Sequence, residues 1–249
     1  MFEQPRPWGL FPSTARLPRL PRQCEICRRW DTAALCADCI DRHAVARPRC
    51  ACCGLTLGLP TPRCGNCLRD TPPFTRTVCA VDYGFPWDGL IAAFKFHQRP
   101  ELAGPLAERL TSAVQHGLRG GGLSRPDLVL PVPLSPRRLA ERGYDQAWEL
   151  ARRIAHALDL PAEPRLLQRP VDTAQQSGLG RAARLRNLHT AFMAEPARRA
   201  LLQGRRVALV DDVMTTGATV RAASAVLLRA GASAVDLWVL ARTPDTAAV

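Results

Sequence analysis

Four Cys-x2-Cys pairs between residues 24 and 67 constrain the fold of this chain more than any other feature. Eight residues separate the first pair from the second, and ten separate the third from the fourth. Each pair can present two thiolates on one side of a tight turn, and four thiolates satisfy the tetrahedral preference of Zn²⁺. The sequence therefore predicts two closed structural zinc sites, formed by Cys24, Cys27, Cys36 and Cys39 and by Cys50, Cys53, Cys64 and Cys67.

Other arrangements of these cysteines stay open at this level. A disulfide framework is typical of small secreted domains, but the N-terminal stretch is broken by five prolines and contains no continuous apolar export segment. An interleaved pairing, first pair with third and second with fourth, is compatible with the spacing. Cys52 is an alternative ligand to Cys53, although the Cys-x2-Cys spacing favours Cys53. In either zinc arrangement, the closed sites are expected to fold a segment that is too poor in apolar residues to fold alone.

Composition limits the class of protein without selecting a function. The 249 residues are 47% hydrophobic and 22% charged, and no apolar run approaches the roughly 20 residues that cross a bilayer, so we expect a cytoplasmic protein without a membrane span. The net charge of +12 suits nucleic acid, anionic surfaces or phosphorylated small molecules. A general preference for arginine explains it equally well, since Lys95 is the only lysine.

The pattern of apolar segments predicts three regions: a basic, proline-rich tail over 1–20, a double zinc ribbon over 21–75 and an α/β domain over 76–249, with a Pro/Thr linker at 71–77. Strands are predicted over 79–84, 128–132, 206–213 and 234–242, and helices over 88–96, 100–115, 145–158 and 219–230. Strands that alternate with helices predict a mainly parallel sheet flanked by helices on both faces. Ligands of such sheets gather at the carboxyl ends of the strands.

The segment 207–220 carries the strongest chemical signal. Four apolar residues lead to the adjacent acids Asp211 and Asp212, and a short loop of small residues then opens a helix. Backbone N–H groups at such a helix start form an anion site, and two acids beside it suit the vicinal hydroxyls of a ribose. An ordinary capping turn explains one acid and one threonine but not the whole pattern. We predict a ribose 5-phosphate site that includes Asp211, Asp212, Thr215, Thr216, Gly217, Ala218 and Thr219.

This segment resembles the phosphoribosyl-diphosphate signature of type I phosphoribosyltransferases, and the chain as a whole resembles the ComF (ComFC) family. The resemblance is carried by the four cysteine pairs, the acidic segment, and the stretches 131–134, 138–147, 173–176 and 184–187. It implies a phosphoribosyltransferase-like fold with an N-terminal double zinc ribbon, 5-phosphoribosyl 1-diphosphate bound with Mg²⁺, and a role in natural competence and DNA uptake. Tyr144-Asp145 departs from the family's frequent Phe-Asn and adds a charge.

The resemblance also implies roles for individual residues. The loop after the strand at 128–132 matches the diphosphate loop, in which Arg137, Arg138 and Arg142 would meet the leaving diphosphate. The polar segment 169–187 matches the catalytic flexible loop, and a plain surface loop is the alternative. The residues of that segment that match the pattern are Thr173, Gln176, Arg184 and Asn187. Lys95, between two phenylalanines, is assigned to the sugar-diphosphate or acceptor side, with surface snorkelling as the alternative.

Two classes of function follow. The first is a phosphoribosyltransferase that displaces diphosphate from C1 of the ribose, with an acceptor that the sequence does not identify. The second is a competence factor that binds single-stranded DNA and other competence proteins, in which the phosphoribosyl-diphosphate site is vestigial or regulatory. Isolated aromatic contacts to DNA would come from Trp8, Phe11, Trp30 and Phe74. A PurF-like or purine-salvage enzyme is a weaker hypothesis, because no cysteine follows Met1 and the cysteine pairs are foreign to such enzymes.

Overall fold

A four-stranded, all-parallel sheet forms the centre of the molecule. The structure, a computed structural model, describes residues 20–59, 61–170 and 191–244. The sheet contains β3 (Arg76–Asp82), β4 (Leu128–Pro131), β7 (Arg206–Met214) and β8 (Ala234–Arg242), in the order β3-β8-β7-β4. Leu209 of β7 pairs in register with Leu130 of β4 and Leu237 of β8, so apolar residues lie side by side across the sheet. The predicted α/β class with a parallel sheet is confirmed.

Helices cover both faces of this sheet, because its central strands are apolar on both sides. Three helices cover one face: α3 (Trp87–Phe96), α4 (Ala103–Arg119, after a 3-10 turn at Pro100–Leu102) and α6 (Gln146–Ala157). The other face is covered by α7 (Ala218–Arg229), the short strands β5 (Leu167–Gln168) and β6 (Met193–Ala194), and a 3-10 helix at Pro196–Leu202. None of the helices in the described ranges has the length and apolar character needed to cross a membrane.

The N-terminal part is built from two small modules of similar design. In the first module, β1 (Arg22–Gln23) pairs with β2 (Trp30–Asp31), and α1 (Ala37–His43) follows. In the second module, an antiparallel bridge joins Arg49 to Thr56, and α2 (Gly65–Arg69) follows. The buried clusters of these modules consist mainly of their cysteines, so neither has an apolar core comparable to that of the α/β domain.

Several predicted boundaries are shifted in the structure, including those of the strand predicted over 79–84, and two of the shifts have clear physical reasons. The linker predicted over 71–77 is shorter, because β3 begins at Arg76 and pairs there with Asp236. The helix predicted to end before Gly117 continues to Arg119, since that glycine is tolerated inside it and the left-handed turn comes at Gly121 (φ 68°).

The predicted arginine loop after β4 is instead a helix, α5 (Pro136–Arg142). Ser135 caps it by accepting a hydrogen bond from the N–H of Arg138, Pro136 occupies the first turn, and Gly143 ends it in a left-handed conformation (φ 79°). These are standard start and stop signals of a helix. The helix directs its arginines to different sides.

Candidate functional site

The carboxyl ends of β4 and β7 form the floor of a small pocket. Asp211 and Asp212 lie near the end of β7, and the turn at 215–217 then leads into α7. Gly217 is left-handed (φ 81°), a conformation that favours glycine, and a Cβ there would lie 2.6 Å from Cε of Met214. The turn therefore stays tight, and the first N–H groups of α7 lack acceptors within the helix, as an anion site requires.

The predicted residues of this turn differ in their exposure. Thr215 and Thr216 are exposed in the turn, and Ala218 and Thr219 begin α7 partly buried. The N–H of Ala218 donates to Oγ1 of Thr216 at 3.4 Å. The side chain of Thr219 lines the pocket.

Lys95 joins the acidic pair from the last turn of α3. Its Nζ lies 2.8 Å from Oδ1 of Asp212, and the two side chains are only 16% and 10% exposed. The pair is therefore shielded from bulk water, which strengthens its attraction relative to a surface ion pair. Of the two predicted alternatives for Lys95, the structure places its ammonium group beside the acids rather than along the surface.

Asp211 is held in a costly environment for a charge. It keeps a partly exposed surface, but protein surrounds its other sides, and this desolvation raises its pKa well above the ordinary value. The negative charge of Asp212 raises this pKa further, whereas the charge of Lys95 lowers it. The pKa of nearby Asp145 is also raised, mainly by burial. A cluster of desolvated acids favours a bound cation or hydrogen-bond donors.

The arginines of α5 divide between the pocket and the solvent. Arg138 and Arg142 are four residues apart and share one face of the helix, and both line the pocket. Arg142 also donates from Nη1 to Oε1 of Gln146 at 2.7 Å. The side chain of Arg137 is 69% exposed, and its Nε lies 2.8 Å from Oε1 of Glu141. The structure thus brings two of the three predicted arginines to the acids.

The Tyr144-Asp145 turn fixes the elements around the pocket. The hydroxyl of Tyr144 donates to the carbonyl of Phe94, and the two rings pack with their centres 5.6 Å apart. Asp145 accepts from the N–H of Trp148 at 3.0 Å and from the N–H of Leu134 at 3.3 Å. This turn therefore ties α3, α6 and the segment after β4 to one another. The charged residue that departs from the family pattern serves as a helix cap.

Together these residues enclose a cavity of about 150 Å³, which we call the inner pocket. Its polar lining consists of Lys95, Arg138, Arg142, Gln146, Arg169, Asp211, Asp212 and Thr219. A second cavity of about 350 Å³, the outer pocket, adjoins it and shares its lysine and the two arginines of α5. Phe96, Gln98 and Glu141 complete the outer pocket. Phe96 is 65% exposed, and Cζ of Arg142 lies 5.0 Å from the centre of its ring.

The predicted loop residues Thr173, Gln176, Arg184 and Asn187 lie outside the described residues. Arg169, the first residue of the segment predicted as that loop, was not named as a site residue from the sequence, yet it lines the inner pocket. Its Cζ lies 5.3 Å from the ring centre of Phe192. In an arginine-rich chain, no sequence signal separates Arg169 from its neighbours.

The eight predicted zinc ligands form two groups, one from the first two cysteine pairs and one from the last two. Within each group the four Sγ atoms lie within 4.8 Å of one another. The Sγ atoms of Cys27 and Cys36 are 3.7 Å apart, and those of Cys53 and Cys64 are 3.6 Å apart. A zinc ion with four bonds of about 2.3 Å places its sulfur atoms roughly 3.8 Å apart. The sequential pairing therefore fits the metal, and the interleaved one does not fit this geometry.

The electrostatics of these groups also fit a dication. In the first group the pKa of Cys27 is lowered to about 6, first by a hydrogen bond from the backbone of Arg29. In the second, burial and then the charge of Cys50 raise the pKa of Cys53 to about 11. Four neighbouring thiolates repel one another, and a dication removes that repulsion. Cys52 is buried but lies outside the group, so the choice of Cys53 agrees with the geometry.

Comparison with known proteins places the chain among relatives of similar length. It is 36% identical to the DNA utilization protein YhgH of Escherichia coli K12 over 90% of this chain and 98% of that one. It is also 36% identical to competence protein F of Haemophilus influenzae, over 84% and 90%. Competence protein ComFC of Bacillus subtilis is 33% identical over 47% of this chain and 45% of its own length.

A family model identifies the type of the larger domain, since residues 173–249 match the model of the phosphoribosyl transferase domain. Among solved structures, the glutamine phosphoribosylpyrophosphate amidotransferase of B. subtilis covers 59% of this chain and 30% of its own, with 20% identity and a TM-score of 0.41. The purine phosphoribosyltransferase of Pyrococcus horikoshii covers 58% and 77%, with 21% identity and a TM-score of 0.35. Given its identity to YhgH and competence protein F over nearly their whole length, the chain belongs to the ComF family of competence proteins.

Proposed function

We propose that this protein binds 5-phosphoribosyl 1-diphosphate with Mg²⁺ in the inner pocket and transfers the phosphoribosyl group to an acceptor, releasing diphosphate. The observation that supports this most directly is the convergence, in one cavity, of Asp211 and Asp212, the start of α7, and the arginines of α5. A site for two hydroxyls thus adjoins a site for a phosphate and a site for a second anion. These are the chemical groups of the proposed substrate.

Each group in the pocket has a distinct role in this proposal. The carboxylates of Asp211 and Asp212 accept hydrogen bonds from the ribose hydroxyls and fix the sugar. The N–H groups at the start of α7 and the side chain of Thr219 bind the 5-phosphate. Arg138 and Arg142 bind the diphosphate and stabilise the negative charge that grows on it as the bond to C1 breaks.

The donor set of the inner pocket also suits Mg²⁺. Its acids are oxygen donors, and the raised pKa of Asp211 means that an added positive charge beside it is favourable. When bound, the metal would supply charge neutralisation for the diphosphate. Lys95 orients the carboxylate of Asp212 through their 2.8 Å contact.

The outer pocket is the proposed place of the acceptor. It adjoins the inner pocket and shares Lys95 and the α5 arginines with it, so an occupant would lie next to the sugar. Its exposed ring at Phe96 offers a flat apolar surface, and Gln98 and Glu141 offer hydrogen-bonding groups. This lining suits a flat polar molecule better than a purely aliphatic one.

The two cysteine groups are assigned to structural Zn²⁺ in the same proposal. Each group supplies four thiolates at the spacing of a closed tetrahedral site, with no position left for water. Zinc there would fold the two modules rather than take part in the transfer reaction.

The names of the relatives support a role in competence or DNA utilization. Of the aromatic residues predicted to contact DNA, Trp30 is 71% exposed on β2 and follows two exposed arginines of the first module. Phe74 is only 3% exposed and packs in the core, so that part of the prediction was wrong. Trp8 and Phe11 lie outside the described residues. Single-stranded DNA binding through the first module is therefore a second candidate function.

Calorimetric titration tests the proposal. The zinc-loaded protein is titrated with phosphoribosyl diphosphate and Mg²⁺ beside the variant Asp211→Asn/Asp212→Asn. The matched control Asp41→Asn/Asp88→Asn removes the same charge from α1 and from the start of α3. We expect binding by the wild type and the control and none by the pocket variant.

The other outcomes are equally informative. Equal binding by both variants would move the ligand away from the acids and contradict the assignment. No binding by the wild type would end the phosphoribosyl proposal. Salt-sensitive binding of single-stranded DNA that survives in the pocket variant would then favour the DNA-binding function.

A further inference from the structure

The second cysteine module is attached to the α/β domain through a row of main-chain contacts. The carbonyl of Ala51 accepts from the N–H of Thr77 at 3.1 Å, and the carbonyl of Cys52 accepts from the hydroxyl of the same threonine. The next carbonyl, of Cys53, accepts from Nε of Arg242 at 3.1 Å. Three consecutive carbonyls of a metal-binding turn are thus held by β3 and β8. Their positions depend on the conformation of the turn, and that conformation depends on the metal.

Arg242 makes the central contact, because its other end reaches the turn at 215–217. It is the last residue of β8 and only 9% exposed. Its Nη1 donates to the carbonyl of Met214 at 3.1 Å, to the carbonyl of Thr215, and to the carbonyl of Thr243 at 2.7 Å. One planar guanidinium therefore connects the carbonyl of a predicted zinc ligand to the last residue of β7 and the first residue of the turn into α7.

The second cysteine module packs closely against β3, so neither can shift without moving the other. Gly54, which follows Cys53, is left-handed (φ 69°), and a Cβ there would lie 2.9 Å from Cγ2 of Thr77. Arg49 reinforces the junction, since its Nη1 donates to the carbonyl of Gly54 at 3.1 Å and to Oδ1 of Asp82 at 2.7 Å. A shift of the metal-binding turn is therefore transmitted to β3 and β8.

Among the described contacts, none connects the first cysteine module to the turn at 215–217. It is attached beside α3, where Nε1 of Trp87 donates to the carbonyl of His43 at 2.7 Å and Arg99 pairs with Glu25 at 3.1 Å. These contacts reach the beginning of α3 and the segment after it, not the turn at 215–217. The two modules thus provide an internal comparison.

We propose that Arg242 is a positioning residue that couples the second cysteine group, in its zinc-bound state, to the shape of the phosphate-binding turn at 215–217. Loss of zinc from this group releases the carbonyl of Cys53, frees Arg242 to move, and loosens the turn that presents the N–H groups of α7. The consequence for ligand binding rests on the proposed function, whereas the mechanical coupling does not. The pocket responds to zinc availability through one module only.

Matched cysteine variants test the coupling. Cys39 in α1 and Cys67 in α2 occupy the same position, the fourth ligand, in their groups. Cys39→Ser and Cys67→Ser are compared with the wild type and with Arg242→Lys, and the zinc content of each is measured. Hydrogen exchange is followed in peptides that cover 214–219, with peptides from β4 as an internal reference. Binding of ribose 5-phosphate is measured by calorimetry in parallel.

We expect faster exchange at 214–219, with unchanged exchange in β4, in the Cys67 and Arg242 variants but not in the Cys39 variant. Arg242→Lys should keep both zinc ions and weaken ribose 5-phosphate binding roughly tenfold, the equivalent of one hydrogen bond to a charged group. Wild-type exchange at 214–219 in Arg242→Lys would overturn the coupling, and this variant decides the matter even if Cys67→Ser unfolds. Failure of the wild type to bind ribose 5-phosphate would instead refute the phosphoribosyl site, while the exchange data would still decide the coupling.

Discussion

Replacing Lys95 by methionine should destabilise the protein and change the way its stability depends on pH. At 2.8 Å and an effective dielectric constant of about 20, the attraction between Lys95 and Asp212 is about 6 kcal/mol before the cost of desolvating both groups. Removal of one partner of a buried pair typically costs about 3–5 kcal/mol. Because both side chains keep some exposure, we expect a loss of about 2–3 kcal/mol near neutral pH.

The sign of the pH dependence follows from the acids left behind. Lys95 lowers the pKa of Asp211, so its removal raises that pKa further. A carboxyl whose folded-state pKa lies above its unfolded value stabilises the fold in acid and loses that contribution as the pH rises from the unfolded value to the folded one. The deficit of Lys95→Met relative to the wild type should therefore grow with rising pH and shrink in acid.

Urea denaturation of the zinc-loaded protein at several pH values provides the measurement. Lys95→Arg is the control, because it keeps the charge and should recover much of the stability while changing the shape of the cation. A deficit of Lys95→Met that does not vary between acid and neutral pH would refute the electrostatic explanation. It would indicate that the methylene chain of the lysine, rather than its charge, stabilises the site.

Three further predictions concern the same pocket and its supports. Asp211→Asn should abolish phosphoribosyl-diphosphate binding, which calorimetry measures. Because it removes a desolvated charge, it should also raise the free energy of unfolding in urea by about 1–2 kcal/mol at neutral pH. Gly54→Ala should lower the free energy of unfolding by about 1–2 kcal/mol more than Gly143→Ala, because Gly143 is also left-handed but a Cβ there would lie close to no atom beyond its chain neighbours. Equal losses for the two variants in urea denaturation would exclude a close junction between Gly54 and β3. Removal of zinc by a strong chelator should unfold both cysteine modules. The eight ligands and Cys52 should then react with a thiol reagent, while Cys79, buried in β3, stays protected. Early reaction of Cys79 would mean that the sheet unfolds with the modules.

The sequence predicted the elements whose patterns are set by local chemistry. The strand at 234–242 was predicted with its observed bounds, because an apolar run interrupted before Arg242 only by Asp236 is typical of a strand buried on both faces. The four cysteine pairs similarly predicted two groups of four, because the spacing limits which thiols can meet. The adjacent acids near the end of β7 lie in a pocket, as the strand-to-helix motif indicated.

Elsewhere the fold depends on contacts between residues distant in sequence. The position of Lys95 depends on the packing of α3 near the end of β7, which brings it to an acid far along the chain. In the sequence, nothing distinguishes Arg242 from other arginines. Only the contact between the second cysteine module and β8 places it between Cys53 and the turn at 215–217. The division of the α5 arginines could have been predicted, since Ser135-Pro136 and Gly143 mark the start and stop of a helix in a segment interpreted as a loop.

The single lysine of this chain has a practical meaning. Lys95 carries the only side-chain amine, and it lies at the boundary of the two cavities. Reductive methylation with an isotope-labelled methyl donor would therefore place a single side-chain reporter, besides the label on the terminal amine, without any substitution. Acetylation or another amine-directed modification in a cell would likewise fall on this residue among all side chains. A protein so rich in arginine thus confines lysine chemistry to one point, the place where sugar, diphosphate and acceptor are proposed to meet.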